Sequence, residues 1–187
     1  MSLKEKPKAK LYTRYPWSSV FIYNSSTVTH YLLGGIGIII GYSFSSWVAY
    51  VFGSFYLVFS FVEMYITMPL TVCPKCVYYR METALCISGL NVVSRKIAKE
   101  GSQNDFAKRA EGLFCFNNMY IAALIIPIIA IVLAMIFNFS VLLLIIFLAL
   151  VALLLFRFFV IFPKIACLHC AAKYKCPQAG SMGVREL

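Results

Sequence analysis

The sequence predicts an all-α membrane protein of four transmembrane helices, arranged as two pseudo-repeated helical hairpins with a cytoplasmic amphipathic helical loop between them. Three observations lead there. Of 187 residues, 61% are hydrophobic and 13% charged, more apolar surface than a soluble core of this size can use. The apolar residues gather in four long runs separated by polar stretches. One pattern is written twice, as Pro69-Leu-Thr-Val-Cys73-Pro-Lys-Cys76 and Pro163-Lys-Ile-Ala-Cys167-Leu-His-Cys170, 94 positions apart and each just after an apolar run.

Residues 1–23 are basic and then aromatic (Tyr12, Tyr15, Trp17, Phe21, Tyr23), as expected of an arm lying at the headgroup level. Its basic stretch precedes a span too long for the hydrophobic region of a cleavable signal, and no small-residue cleavage site follows. The first hairpin, 24–76, contains apolar runs at about 27–44 and 47–68 joined by a polar turn, and ends in the first C-x-x-C. Gly37 and Gly41 form a small-xxx-small pair that lets a neighbouring helix approach closely. Residues 77–117 form the polar loop. Within it, 81–112 has helical periodicity, with Leu85, Leu90, Val93, Ile97 and Phe106 as the expected apolar face on the membrane surface or on a protein partner. The second hairpin, 118–170, repeats the plan with runs at about 119–137 and 141–162. Pro127 in the first of these is tolerable in a membrane helix. A tail, 171–187, completes the chain.

The net charge of +10 suggests nucleic acid in a soluble protein, but its distribution argues for topology instead. Lysines and arginines sit in the N-terminal arm, in the segment from Lys75 to Arg109 and in the tail, while the tight turns 43–46 and 138–140 contain none. By the positive-inside rule both termini, the middle loop and all seven cysteines are expected on the cytoplasmic side of a cytoplasmic or inner membrane, with lipid and a protein as partners and no nucleic acid.

The repeat extends beyond the cysteines. Asn24 matches Asn118 and Ser46 matches Ser140 at the same offset, with no gap from 24–76 to 118–170. Two hairpins in the same orientation are related by an axis along the membrane normal, which brings the C-x-x-C pairs face to face. Glu63 and Arg157, the charged residues of the apolar runs, occupy equivalent positions with opposite signs. A lone charge at such depth costs roughly 2.5–3.5 kcal/mol on insertion scales, so a Glu63–Arg157 ion pair beneath the cysteines is expected.

Two C-x-x-C pairs supply four thiolates, enough for a tetrahedral shell or a cluster, and a reducing compartment favours metal or redox chemistry over disulfides. Cys73, Cys76, Cys167 and Cys170 are the candidate ligands, with Cys86 and Cys176 as further ones and Cys115 as a buried thiol. Cys-Pro-Lys-Cys resembles a zinc-ribbon knuckle, and the Cys-Pro closing the run from Cys167 to Pro177 resembles ferredoxin runs without their spacing. Iron–sulfur and zinc are equally compatible with these residues. The first makes the chain a redox or electron-transfer component, an oxidoreductase subunit, with quinone near His30 and Glu63. The second makes it a zinc-stapled structural or assembly subunit. A third reading is handling of soft ions such as Cu(I) or Hg(II), which the absence of cysteines within the spans weakens. His169 lies between two cysteines, where a side chain ordinarily points away from the metal, and His30 is expected to hydrogen-bond a neighbouring helix. Quinone-linked thiol oxidoreductases share the helix count and the motif but work their cysteines on the oxidising side, opposite to the charge-based topology here. No Walker loop, nucleophile elbow or other nucleotide or hydrolase motif is present.

Overall fold

A computed structural model describes residues 9–43, 46–110 and 116–185. Cys115, Lys4, Lys6, Lys8 and the centre of the first tight turn lie outside the described residues. Within them the chain is helical, and its only extended pairings are isolated bridges, Tyr12 with Cys170 and Arg14 with Leu85. The long elements are α1 (Trp17–Gly41) and α2 (Ser46–Val62), the latter prolonged by a π-helical stretch, Glu63–Thr67, and a last turn, Met68–Thr71. Two short helices follow in the middle loop, α3 (Val77–Arg80) and α4 (Leu90–Ile97). The second pair is α5 (Phe116–Phe137) and α6 (Val141–Phe156), with α6 prolonged by a second π-helical stretch, Arg157–Ala166; α7 (Pro177–Ser181) lies in the tail.

Among the described residues three helices are long and apolar enough to cross a membrane: Trp47–Lys75, Asn118–Phe137 and Val141–Ala166. Only 28%, 39% and 22% of their apolar windows are buried inside the protein, so most of that surface needs a non-aqueous neighbour. Trp47, Val51, Phe55 and Val58 show the pattern, a stripe at helical spacing with exposures of 60–71%. The expected first span differs. Its helix begins ten residues earlier than the apolar run, behind Pro16, and Asn24, Ser25, Ser26, Thr27, Thr29 and His30 dilute its first half. Half of that polarity faces protein: Ser26, Thr27 and His30 are buried as α1 packs against α2, α5 and α6, while Thr29 is exposed.

Glycines and a proline govern how closely α1 approaches α5. A Cβ at Gly37 would overlap Ile131, and one at Gly41 would stand 2.6 Å from the Cβ of Ala134, so only hydrogen there permits the contact. Pro127 has no N–H to offer the carbonyl four residues back. That carbonyl, Ala123 O, accepts instead from the Tyr56 hydroxyl at 2.9 Å, and the adjacent Leu124 O bonds His30 Nε2 at 2.9 Å. Two side chains from the first half thus satisfy the backbone opened by the proline of the second.

Both π-helical stretches begin at positions 94 apart, Glu63 and Arg157, and each starts six residues before a proline, Pro69 and Pro163. A π turn inserts an extra residue per turn and rotates everything downstream, so it sets the direction in which each C-x-x-C leaves its helix.

The middle loop is not the continuous amphipathic helix expected over 81–112. Gly89, at φ 74, interrupts it, and among its described residues Leu90–Ile97 is the α-helical part. Of the apolar stripe, Leu85, Leu90 and Phe106 are buried together with Asn91 and Ser94, while Val93 and Ile97 are 43% and 52% exposed. Asn91 decides the register. Its side chain accepts from Cys86 N–H at 3.0 Å and donates to Ala84 O at 2.9 Å, tying the loop into one unit. The N-terminal arm pairs with two other segments of the chain. Tyr12 N–H donates to His169 O at 2.8 Å and Tyr15 N–H to Leu85 O at 2.9 Å, so residues 12–15 lie between the two cysteine-bearing segments, while Trp17 and Phe21 face outward.

Candidate thiol-lined site

All six described cysteines line one cavity of about 180 Å³ at the end of the bundle where the π-helical stretches deliver the chain. Cys73 and Cys76 arrive from the end of α2, Cys167 and Cys170 from the end of α6, Cys86 from the middle loop and Cys176 from the tail just before α7. Among its lining residues are five pairs 94 positions apart: Met68 with Phe162, Val72 with Ala166, Cys73 with Cys167, Cys76 with Cys170 and Tyr78 with Ala172. The six sulfurs are thiols.

The thiols are sheltered more than the sequence suggests. Five of the cysteines are partly buried and Cys176 is buried. Tyr15 and Tyr78 pack behind them with 2% exposure each. The Tyr15 hydroxyl donates to Ala166 O, next to Cys167, and the Tyr78 hydroxyl donates to Tyr12 O at 2.6 Å while accepting from Ala171 N–H at 3.0 Å. Burial first, and then the nearby Cys170 sulfur, push both phenols well above their ordinary range, so both stay protonated donors. Sequence reasoning treated Tyr15 as an interface anchor and did not single out Tyr78. The signal available was position, since Tyr78 follows Cys76 by two residues.

His169 turns away from the cavity. Its ring stacks on Tyr12 at 4.6 Å between centroids and its Nδ1 bonds Lys10 O at 2.8 Å. His30 does not line the cavity; it is 1% exposed between α1 and α5.

Glu63 and Arg157 are both buried, at 5% and 1%, but they do not form the expected ion pair. The guanidinium is taken by other partners: it donates to the Tyr120 hydroxyl, to Thr27 Oγ1 and to Tyr23 O. It also lies 5.2 Å from the ring centroid of Tyr23 and 5.8 Å from those of Tyr120 and Phe162. Oε1 of Glu63 is buried without a hydrogen-bond partner. Arg80 and Glu100 form an ion pair at the surface.

Among the described residues no three His, Cys, Asp or Glu side chains converge on one point as a single metal ion requires. The cysteines encircle a space instead of meeting at its centre, and that space exceeds a single ion. Cysteine is the donor type that thiolate-metal centres use, and six of them share this one space. No protein-family model, curated protein or solved structure matches the chain.

Proposed function

We propose that this protein is an integral membrane thiolate–metal protein whose cavity holds an iron–sulfur cluster, and that it works as an electron-transfer component. One observation supports this above the others: six cysteines from four separate segments line one sheltered cavity. Cys73, Cys76, Cys167 and Cys170 would hold the cluster, and Cys86 and Cys176 stand at the same cavity as further sulfur donors. When bound, the cluster supplies one-electron chemistry at a potential set by burial and by hydrogen bonding around its sulfurs. The chain's part is to bring the thiols together from both halves and to exclude water with Tyr15, Tyr78 and Phe106, all no more than 5% exposed.

The proposal includes a four-span architecture of two hairpins in parallel, with α1 as the fourth span. Its support is the set of equivalent positions in contact or on a shared wall: His30 with Leu124, Gly37 beside Ile131, and the five cavity pairs. By the distribution of lysine and arginine, the cavity faces the cytoplasm.

Metal and acid-labile sulfide analysis of anaerobically purified protein, with electron paramagnetic resonance after dithionite reduction, tests the reading. Brown protein with iron, sulfide and a reduced-state signal is expected. Colourless protein carrying zinc and no sulfide overturns it in favour of the zinc-stapled subunit. Labelling Lys75 and Lys175 with a membrane-impermeant amine reagent in inverted and right-side-out vesicles tests topology, and reaction in inverted vesicles is expected.

A further inference from the structure

Arg157 carries a permanent charge in a place that offers it no anion. The side chain is 1% exposed, a guanidinium does not lose its proton, and its hydrogen-bond acceptors are two hydroxyls and a backbone carbonyl, all neutral. Such a charge in a low-dielectric interior is strongly disfavoured unless a negative charge lies nearby. Glu63, the carboxylate at the equivalent position, is not that charge.

What lies beside the guanidinium is the wall of the thiol-lined cavity. The three rings it packs against, Tyr23, Tyr120 and Phe162, all line that cavity. A second cation stands on another part of the lining: Lys173 is 0% exposed, with Nζ donating to Leu168 O at 3.3 Å and 5.3 Å from the Tyr174 ring. Both cations are held within protein instead of reaching water, as long basic side chains ordinarily do. A cavity with thiols on its walls and fixed positive charges at its back is suited to a negatively charged guest.

We propose that Arg157 is the buried counter-charge of an anionic thiolate centre in this cavity, with Lys173 sharing the role. The proposal rests on the metal-centre reading above but not on which metal is held. A metal bound by four thiolates carries net negative charge, and a one-electron reduction adds one more. A fixed cation nearby favours the more negative, reduced state and so raises the reduction potential. The low dielectric of the surroundings keeps that influence from being screened.

The test compares the full-length parent with Arg157→Met, Arg157→Lys and Lys173→Gln, prepared anaerobically, with metal and sulfide measured before a potentiometric titration followed by electron paramagnetic resonance. Arg157→Met is expected to load to the parent level and titrate at a more negative potential. Arg157→Lys should restore the parent value, and Lys173→Gln should move it the same way as Arg157→Met by less. Fully loaded Arg157→Met with an unchanged potential overturns the proposal. If Arg157→Met does not fold, Lys173→Gln decides, and parent-like potential there overturns it equally. A parent that holds zinc without sulfide refutes the iron–sulfur reading alone; the proposal then requires faster loss of zinc to a chelator from Arg157→Met than from Arg157→Lys, and equal rates reject it. A parent that binds neither iron nor zinc rejects both readings.

Discussion

The two π-helical stretches, Glu63–Thr67 and Arg157–Ala166, start at equivalent positions, each six residues before a proline, and lead into equivalent cysteine pairs, yet they treat their charged residue in opposite ways. Arg157 packs against three rings and donates three hydrogen bonds, whereas Glu63 has a buried oxygen with no partner. Chemistry explains the asymmetry. A guanidinium is flat, has five donors and stacks on aromatic faces, so neutral groups can hold its orientation and accept its hydrogen bonds, although they leave its charge uncompensated. A carboxylate is an acceptor only, and Oε1 of Glu63 meets no donor where it is buried. Equivalent backbone geometry therefore does not imply equivalent electrostatics.

The largest effect that would sharpen this contrast is Arg157→Ala, which empties a well-packed site and strips three acceptors of their donor. A loss of about 3–5 kcal/mol is expected, the range for truncating a large buried side chain, read as a fall in thermal midpoint of the detergent-solubilised protein. Parent-like stability would show that the guanidinium is not held as described. A middle effect probes the contact between halves. Tyr56→Phe leaves Ala123 O, already deprived of a helical donor by Pro127, without its hydroxyl, at about 1–3 kcal/mol. Tyr31→Phe, which removes a hydroxyl that is buried without a partner, should cost nothing, and an equal loss in both variants would break the argument. The smallest effect belongs to the acidic side: Glu63→Gln is expected within about 1 kcal/mol of the parent because no hydrogen bond of Oε1 is lost. A large loss there would erase the difference between the two stretches.

How far the site was legible from sequence differs residue by residue. That the two C-x-x-C pairs would come to one place followed from their register, since equal spacing from equivalent helices leaves little freedom in where the thiols emerge. The shelter provided by Tyr15 and Tyr78 was not legible, because it arises when residues 12–15 run between segments more than 70 and 150 positions away. The inward side of the middle loop was not legible for a related reason: apolar periodicity marks Val93 and Ile97, which are exposed, while the three hydrogen bonds of Asn91 hold Leu90, Asn91 and Ser94 against the protein. Ser26, Thr27 and His30 likewise lower the hydropathy of α1 although they face protein.

By itself the sequence determined a helical chain of long apolar runs, read as four spans where three described helices are long and apolar enough to cross a membrane, and the gathering of its cysteines, because apolar run length and periodic spacing are local properties that survive any packing. Only the tertiary structure decided which partner each buried polar group would take. Arg157 found Tyr120, Thr27 and Tyr23 in preference to the acid at its equivalent position, and His30 and Tyr56 found the carbonyls beside a proline in another helix. Those choices depend on the rotation of one helix against another, set here by π turns and by the absent side chain of Gly37, and a rotation is a property of the pair that neither helix carries alone.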